Sequence, residues 1–324
     1  MPSPNNRRVH IDQALTNISI AYLQDDSHFI AERVFPSVSV EHKSDEYYIF
    51  EKEMGRRDLV LPRKSGAESA GSGFDISTDV YLTQTYAYHK DLDWELVDNS
   101  DPQLDLESTA TEFVSRLFLL NRERAWVSKY FTTGVWSTDV TGVAAAPGAG
   151  QFLQWNDGAS DPKADIDAAK FQFLLETGFE PNKLTLGFKV FQTLTNHPLI
   201  RDQFKYTSSE SITTDMIAKF LDIGEILVSK ASYVTSPKGV TVANAMVAGN
   251  NALLTYSPAS AGLMEPAAGY TFVWSGISGQ GTPGVAMRNF PMEHLKSDRI
   301  EGEYAYVDKV VGADLGYFFA SAVA

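Results

Sequence analysis

The chain has 324 residues, enough to bury a sizeable core as one elaborate domain or two intimately joined ones. A hydrophobic fraction of 44% and a charged fraction of 21% exclude wholesale disorder, and the absence of cysteine excludes disulfides, thiolate metal sites and cysteine nucleophiles. A net charge of −14 argues against a general nucleic-acid binder, because neutralising phosphate requires clustered Lys and Arg.

The first residues are polar and lead into Ile11-Asp12-Gln13-Ala14 without the apolar stretch of a secretory signal. No later run approaches the ~18 apolar residues of a membrane span. A soluble protein made in the cytoplasm is expected. Residues 1–41 read as an arm, with a short helix over Ile11–Leu23 and an extended piece at Phe35–Val40, where Pro36 pushes Phe35 out of the helical region. Such a segment needs something to lie against.

Residues 42–92 read as a long β-ribbon. Tyr47–Phe50 is one strand signal and Val80–Tyr88 a second, and the small residues Ser65–Gly73 form a tip between them. At about 3.3 Å per residue, a dozen residues reach roughly 40 Å. A two-stranded ribbon is too thin to be stable by itself, so it must fold back on its own body or lie on a neighbour. Its Arg56, Arg57, Arg63 and Lys64 suit acidic side chains on another chain, or simply a solvated surface. Asp91, Asp93 and Glu95 alternate, which would place them on one strand face toward a hard cation or a basic patch. A solvated strand end is the simpler reading.

The clearest helix spans 101–133. Asp101-Pro102 starts it, Phe113, Val114, Leu117, Leu120, Val127 and Phe131 follow helical spacing, and Gly134 is placed to end it. Glu112 and Arg116 form an i,i+4 pair in the favourable order. About 30 residues would give a helix near 45 Å long. A loop follows at 142–150, then a helix from Asp161-Pro162 to Gly178, a strand at Leu184–Leu186 and a helix at Phe188–Asn196. Thr214 or Asp215 caps the next helix, which Gly224 ends, and Glu225–Val228 opens another strand. The last third reads as strands at 252–256, 270–274, 285–288, 299–311 and 315–320.

Signatures of chemistry are sparse. The six histidines are scattered, without HxH or HxxxH spacing. Gly279-Gln280-Gly281-Thr282-Pro283-Gly284 has the letters of a dinucleotide fingerprint, but the next residues read as extended where the chemistry needs a helix. No nucleophile elbow, P-loop or HExxH motif is present. No cofactor, metal or catalytic residue is therefore predicted.

The ordered pieces resemble the major capsid proteins of tailed phages with the Hong Kong 97-type fold. The resemblance rests on Asp98–Glu107 leading into the helix that ends Asn121-Arg122-Glu123-Arg124-Ala125-Trp126. It continues through Asp165–Ala169, Leu184–Phe191, Asn196-His197-Pro198, Phe204-Lys205-Tyr206 and Ile223–Val228. It implies an α+β capsid fold: an N-terminal arm (1–41), an extended E-loop ribbon (42–92), a peripheral domain with a long spine helix (93–159 and 286–311) and an axial domain (160–285 and 312–324). The implied function is not enzymatic. Copies of the chain form pentamers and hexamers of an icosahedral head around double-stranded DNA, held without sequence-specific contact. The head is built in the host cytoplasm with a separate scaffolding protein, a portal and a decoration protein as implied partners. The candidate contacts between subunits are Arg56, Arg57, Arg63, Lys64, Asp91, Asp93, Glu95, Glu112 and Arg116. The alternatives are an encapsulin-like nanocompartment shell of the same fold and, from another class, a nucleotide-binding α/β enzyme.

Overall fold

A computed structural model describes residues 27–50, 56–71, 76–98, 106–204, 213–262, 265–277 and 284–324, together with 53, 73, 279 and 280. The chain begins with α1 (Ala31–Val34), β1 (Ser37–Val40), β2 (Ser44–Phe50), β3 (Ile76–Leu82), β4 (Gln84–Asp93), α2 (Trp94–Asp98) and α3 (Leu106–Tyr130). Next come β5 (Thr138–Val143), β6 (Gln151–Leu153), α4 (Pro162–Thr177), β7 (Lys183–Gly187), α5 (Phe188–Asn196), α6 (Pro198–Phe204), α7 (Thr214–Leu221) and β8 (Glu225–Ser229). It closes with β9 (Ser232–Val234), β10 (Asn244–Met246), β11 (Ala252–Thr255), β12 (Gly269–Trp274), β13 (Ala286–Met292), β14 (Ser297–Val310) and β15 (Gly316–Ala320).

Two sheets organise these elements. One has the order β1-β12-β14-β13, with β4 also paired to β14. The other has the order β6-β5-β15-β11-β7-β8. Two hairpins stand apart, β2 with β3 and β9 with β10. The 14-residue β14 holds the first sheet together, since β4, β12 and β13 all pair with it.

Helix α3 packs against both halves of the molecule. Its Ala110, Val114 and Phe118 meet Ile300, Tyr304 and Tyr306 of β14 in one apolar cluster, with the Phe118 ring edge-on to Tyr304 at 4.9 Å. Close approach requires Gly302, where a Cβ would lie 2.5 Å from Phe118 and 2.8 Å from Val114. Trp126, about two turns beyond the middle of α3, belongs instead to the large core under the second sheet, with Leu184, Leu186, Leu253, Phe318 and Phe319.

Between these clusters α3 carries two buried charges. Arg122 pairs with Glu32 at 2.6 Å, lies 3.9 Å from Asp308 and stacks its guanidinium 4.9 Å from the Tyr306 ring centre. Glu123 accepts hydrogen bonds from the Ile30 and Ala31 amides (2.9 and 2.8 Å) and from the Ser229 hydroxyl (2.6 Å). Burial pushes the Glu123 carboxyl up, opposed by those three donors and by Arg122. The pair thereby ties residues 30–32 to the helix.

Several elements differ from the sequence expectation. The Ile11–Leu23 helix and the Asp101-Pro102 start lie outside the described residues. The described part of the expected arm packs on its own body: Ile30, Val34 and Phe35 are buried, and the Phe35 ring sits edge-on to Trp126, Tyr130 and Trp136. Its strand β1 pairs in parallel with β12. Helix α3 ends at Tyr130, not 133, where the Trp136 indole donates to the Tyr130 carbonyl at 2.8 Å; Gly134 then turns the chain with φ of 82°. The predicted strand Val80–Tyr88 is two strands. At Thr83 the amide and hydroxyl bond the Lys43 carbonyl, and the chain changes partner from β2 to β14.

Smaller corrections concern caps and one loop. Thr213, not Thr214 or Asp215, caps α7 through the Met216 amide, and Asp222 ends that helix in the left-handed region with φ of 53°. The loop expected at 142–150 is flanked by two unexpected strands, β5, which runs into it as far as Val143, and β6, and these pair in parallel beside β15. The boundaries of α4 agree with expectation, with Asp161 as N-cap and Gly178 as left-handed C-cap.

Replacing Glu123 by Ala strands two amides and a hydroxyl in a dry site. We expect Glu123→Ala to cost about 3 kcal/mol or more, measured by urea unfolding of the unassembled subunit.

Candidate assembly surfaces

The β2–β3 ribbon has two unlike faces. Its inner face is fastened to the body at the root. The Tyr47 hydroxyl donates to Asp79 at 2.7 Å, the Lys309 ammonium meets the same carboxylate at 3.1 Å, and the Tyr81 ring stacks on Phe272 with centroids 4.5 Å apart. Hydrogen bonds from Tyr47 and then Lys309 hold the Asp79 carboxyl below the usual carboxylate range. Burial, then the bond to Asp79, raises the Tyr47 phenol.

The outer face has the opposite character. Side chains alternate across a strand, so Ile76, Val80 and Leu82 of β3 lie on the side away from Tyr81, and Tyr48 of β2 is paired opposite Thr78 on that side. All four are exposed, Tyr48 to 66% and Leu82 to 60%. Beyond the strands, Leu59, Val60 and Leu61 are exposed as well, Val60 to 88%. Apolar side chains at this density on a thin projection mark a contact surface.

The nine predicted contact residues do not converge. Arg56 turns inward and donates to the Leu175 and Glu176 carbonyls at the C-terminus of α4, the end where a helix dipole favours a cation. Arg57 pairs with Glu53 in an i,i+4 arrangement. Arg63 and Lys64 are exposed near the tip. Asp91 accepts two hydrogen bonds from the Arg299 guanidinium, at 2.7 and 2.9 Å, which holds its carboxyl low. Asp93 stays exposed at the end of β4. Glu95 corrects the expected row: the strand stops at Asp93 and Glu95 is in the first turn of α2, so the three carboxylates do not share a strand face. Glu112 is half-buried and Arg116 exposed on α3.

Among the described residues, no group of three or more His, Asp or Glu is placed to hold a metal ion, and no helix is long and apolar enough to cross a membrane. His197 is a core residue, its Nε2 lying 3.2 Å from the Ser160 hydroxyl and 3.3 Å from the Asp157 carbonyl. The end of the glycine-rich stretch runs into strand β13, and the Gln280 side chain bonds the Ala305 backbone through both its oxygen and its nitrogen. Residues 281–283 lie outside the described part.

The sequence reading missed two surfaces: the outward ribbon face and an exposed apolar stripe on α4. Their apolar residues are visible in sequence, Ile76, Val80 and Leu82 by alternation and Phe171, Leu174 and Leu175 by helical spacing, but the pattern does not say which face the rest of the chain leaves exposed.

No family model matches the chain. Its sequence is 24% identical over 317 residues to the major capsid protein of Burkholderia phage BcepMu, covering 96% of both chains. The crystal structure of a phage-related protein from Bordetella bronchiseptica RB50 superposes with a TM-score of 0.72 at 24% identity, covering 96% of this chain and 97% of that one. The capsid of cyanophage P-SCSP1u superposes with a TM-score of 0.53 at 12% identity, covering 90% and 88%. The chain is thus similar along nearly its whole length to a phage major capsid protein, and its fold is that of the phage capsid structures, of Hong Kong 97 type.

The root of the β2–β3 ribbon contains a testable pH dependence. Asp79 has a depressed pKa, so its contribution is fully present above the ordinary carboxylate value near 4 and is lost as pH falls through the lower folded value. Asp79→Ala should abolish this and make the ribbon more sensitive to protease, while global stability falls by at most about 1 kcal/mol. Limited proteolysis across pH 2–6, roughly the carboxylate range, compares the two proteins.

Proposed function

We propose that this chain is the major capsid protein of a tailed phage, closing in many copies into an icosahedral head around double-stranded DNA. The observation that carries the reading is the ribbon, which we take as the E-loop: it is fastened along one face, and the apolar face of Tyr48, Ile76, Val80 and Leu82 is exposed among the described residues. Burying each such side chain contributes about 1.5–3 kcal/mol, offset in part by the cost of ordering the ribbon. A heterologous contact of this kind, repeated around pentamers and hexamers, builds a closed shell.

The five-stranded sheet with α3 would form the peripheral domain, and the six-stranded sheet with α4 to α7 the axial domain. Under this assignment residues 138–153 go with the axial domain and 269–274 with the peripheral one, because strands follow their sheet. A separate scaffolding protein, a portal and a decoration protein would complete assembly. The acidic chain suits an inner wall that faces DNA without gripping it.

We assign the protein no enzymatic role, since the relative it matches along 96% of its length is a structural capsid protein. The encapsulin-like reading is weaker, because the relative that matches along 96% of the chain is a phage capsid protein. The nucleotide-enzyme reading lacks the helix that the glycine stretch requires.

Negative-stain microscopy of the purified protein, alone and with its scaffolding partner, tests the proposal. Shells or capsomer rings are expected for the wild type. Val80→Asp with Leu82→Asp should leave a folded subunit that no longer assembles. A wild-type protein that stays monomeric at high concentration in both preparations would overturn the reading.

A further inference from the structure

Helix α4 is apolar on two opposite sides. Pro162, Ile166, Ala169, Phe173 and Thr177 are buried against the core at spacings of four, three, four and four. On the opposite side Ala164, Ala168, Phe171 and Leu175 recur at four, three and four, and all are exposed, Phe171 to 68% and Leu175 to 62%. A solvent-facing helix ordinarily carries charge on that side. Here the charges lie on the flanks: on one side Lys163 pairs with Asp167 at 2.8 Å and Lys170 with Asp222 at 3.1 Å, and on the other the Gln172 amide donates to the Glu176 carboxylate at 3.0 Å. The apolar stripe ends beside Glu176 and Glu180 at the negative end of the helix.

Among the described residues a matching surface is also exposed. Leu59-Val60-Leu61 is an exposed apolar run followed by Pro62, Arg63 and Lys64. Arg56 fixes the near end of this segment to the α4 C-terminus, yet Val60 remains 88% exposed and the stripe remains open. Two unpartnered apolar surfaces on one chain, with basic residues beside one and acidic residues beside the other, meet the requirement for a head-to-tail contact between copies.

We infer that the α4 stripe is an intersubunit seat, covered in the assembled shell by the Leu59–Leu61 segment of a neighbouring copy, with that copy's Arg63 and Lys64 facing Glu176 and Glu180. This rests on the shell reading above and adds a specific partner surface to it.

The chain has no cysteine, so single introduced thiols report the contact cleanly. Copies carrying Val60→Cys are mixed with copies carrying Phe171→Cys under assembly conditions and oxidised. Disulfide-linked heterodimers should exceed those from a Lys238→Cys and Phe171→Cys mixture by about tenfold, because a disulfide forms only when the two Cα atoms come within about 7 Å. Independently, Phe171→Asp with Leu175→Asp should keep wild-type circular dichroism and lower the assembled fraction by about tenfold at fixed concentration. Crosslinking no better than the Lys238 control, or wild-type assembly by the Asp variant, overturns the inference and leaves the shell reading intact. A wild-type protein that never assembles overturns both.

Discussion

The structure depends on the two adjacent charges that α3 carries into the interior. A helix of 25 residues is about 37 Å long and here touches two separate apolar clusters, so its middle must pass between them. Arg122 and Glu123 sit at that passage and point to different partners. One engages Glu32, Asp308 and Tyr306, the other the amides of residues 30 and 31 and the hydroxyl of Ser229. Removing charges from water is unfavourable unless their hydrogen bonds are replaced, and here segments far apart in sequence replace them. The result locks the N-terminal segment, β8 and β14 to one helix.

That lock explains which parts of the chain are free to act between copies. Residues 30–40 are committed to the body by Glu123, by the aromatic cluster around Phe35 and by pairing of β1 with β12. The ribbon is committed at its root, through Tyr47, Asp79, Lys309 and Tyr81, and at Arg56, which donates to the end of α4. Its outer face and tip keep large apolar side chains in water. Such a division suits a subunit whose body must be rigid and whose contacts must adapt to slightly different neighbours.

The polar residues tell a consistent story. Candidates that looked available in sequence are engaged within the chain: Asp91 with Arg299, Arg57 with Glu53, Arg56 with the end of α4. Charge satisfied at home adds little to assembly, which places the weight on apolar surfaces flanked by paired charges. The α4 stripe, bordered by the Lys163–Asp167 and Lys170–Asp222 pairs, has that design.

Local chemistry determined much of this protein from sequence alone. Asp161-Pro162 and Gly178 bracket α4, Phe188–Asn196 is a helix to the residue, and the long helix, the ribbon and the strand-rich end are legible because caps, periodicity and β-branched runs act over a few residues. Tertiary structure decided the rest. Thr83 breaks a continuous strand pattern because Lys43, forty residues away, offers its carbonyl. Thr138–Val143 becomes a strand because β15 provides an edge, although its own residues alternate poorly. Phe35 is core because Trp126, Tyr130 and Trp136 surround it. Which apolar residues would face solvent, on the ribbon and on α4, is likewise a question of what the rest of the chain covers, and hydrophobic pattern by itself does not distinguish a buried face from one reserved for another copy.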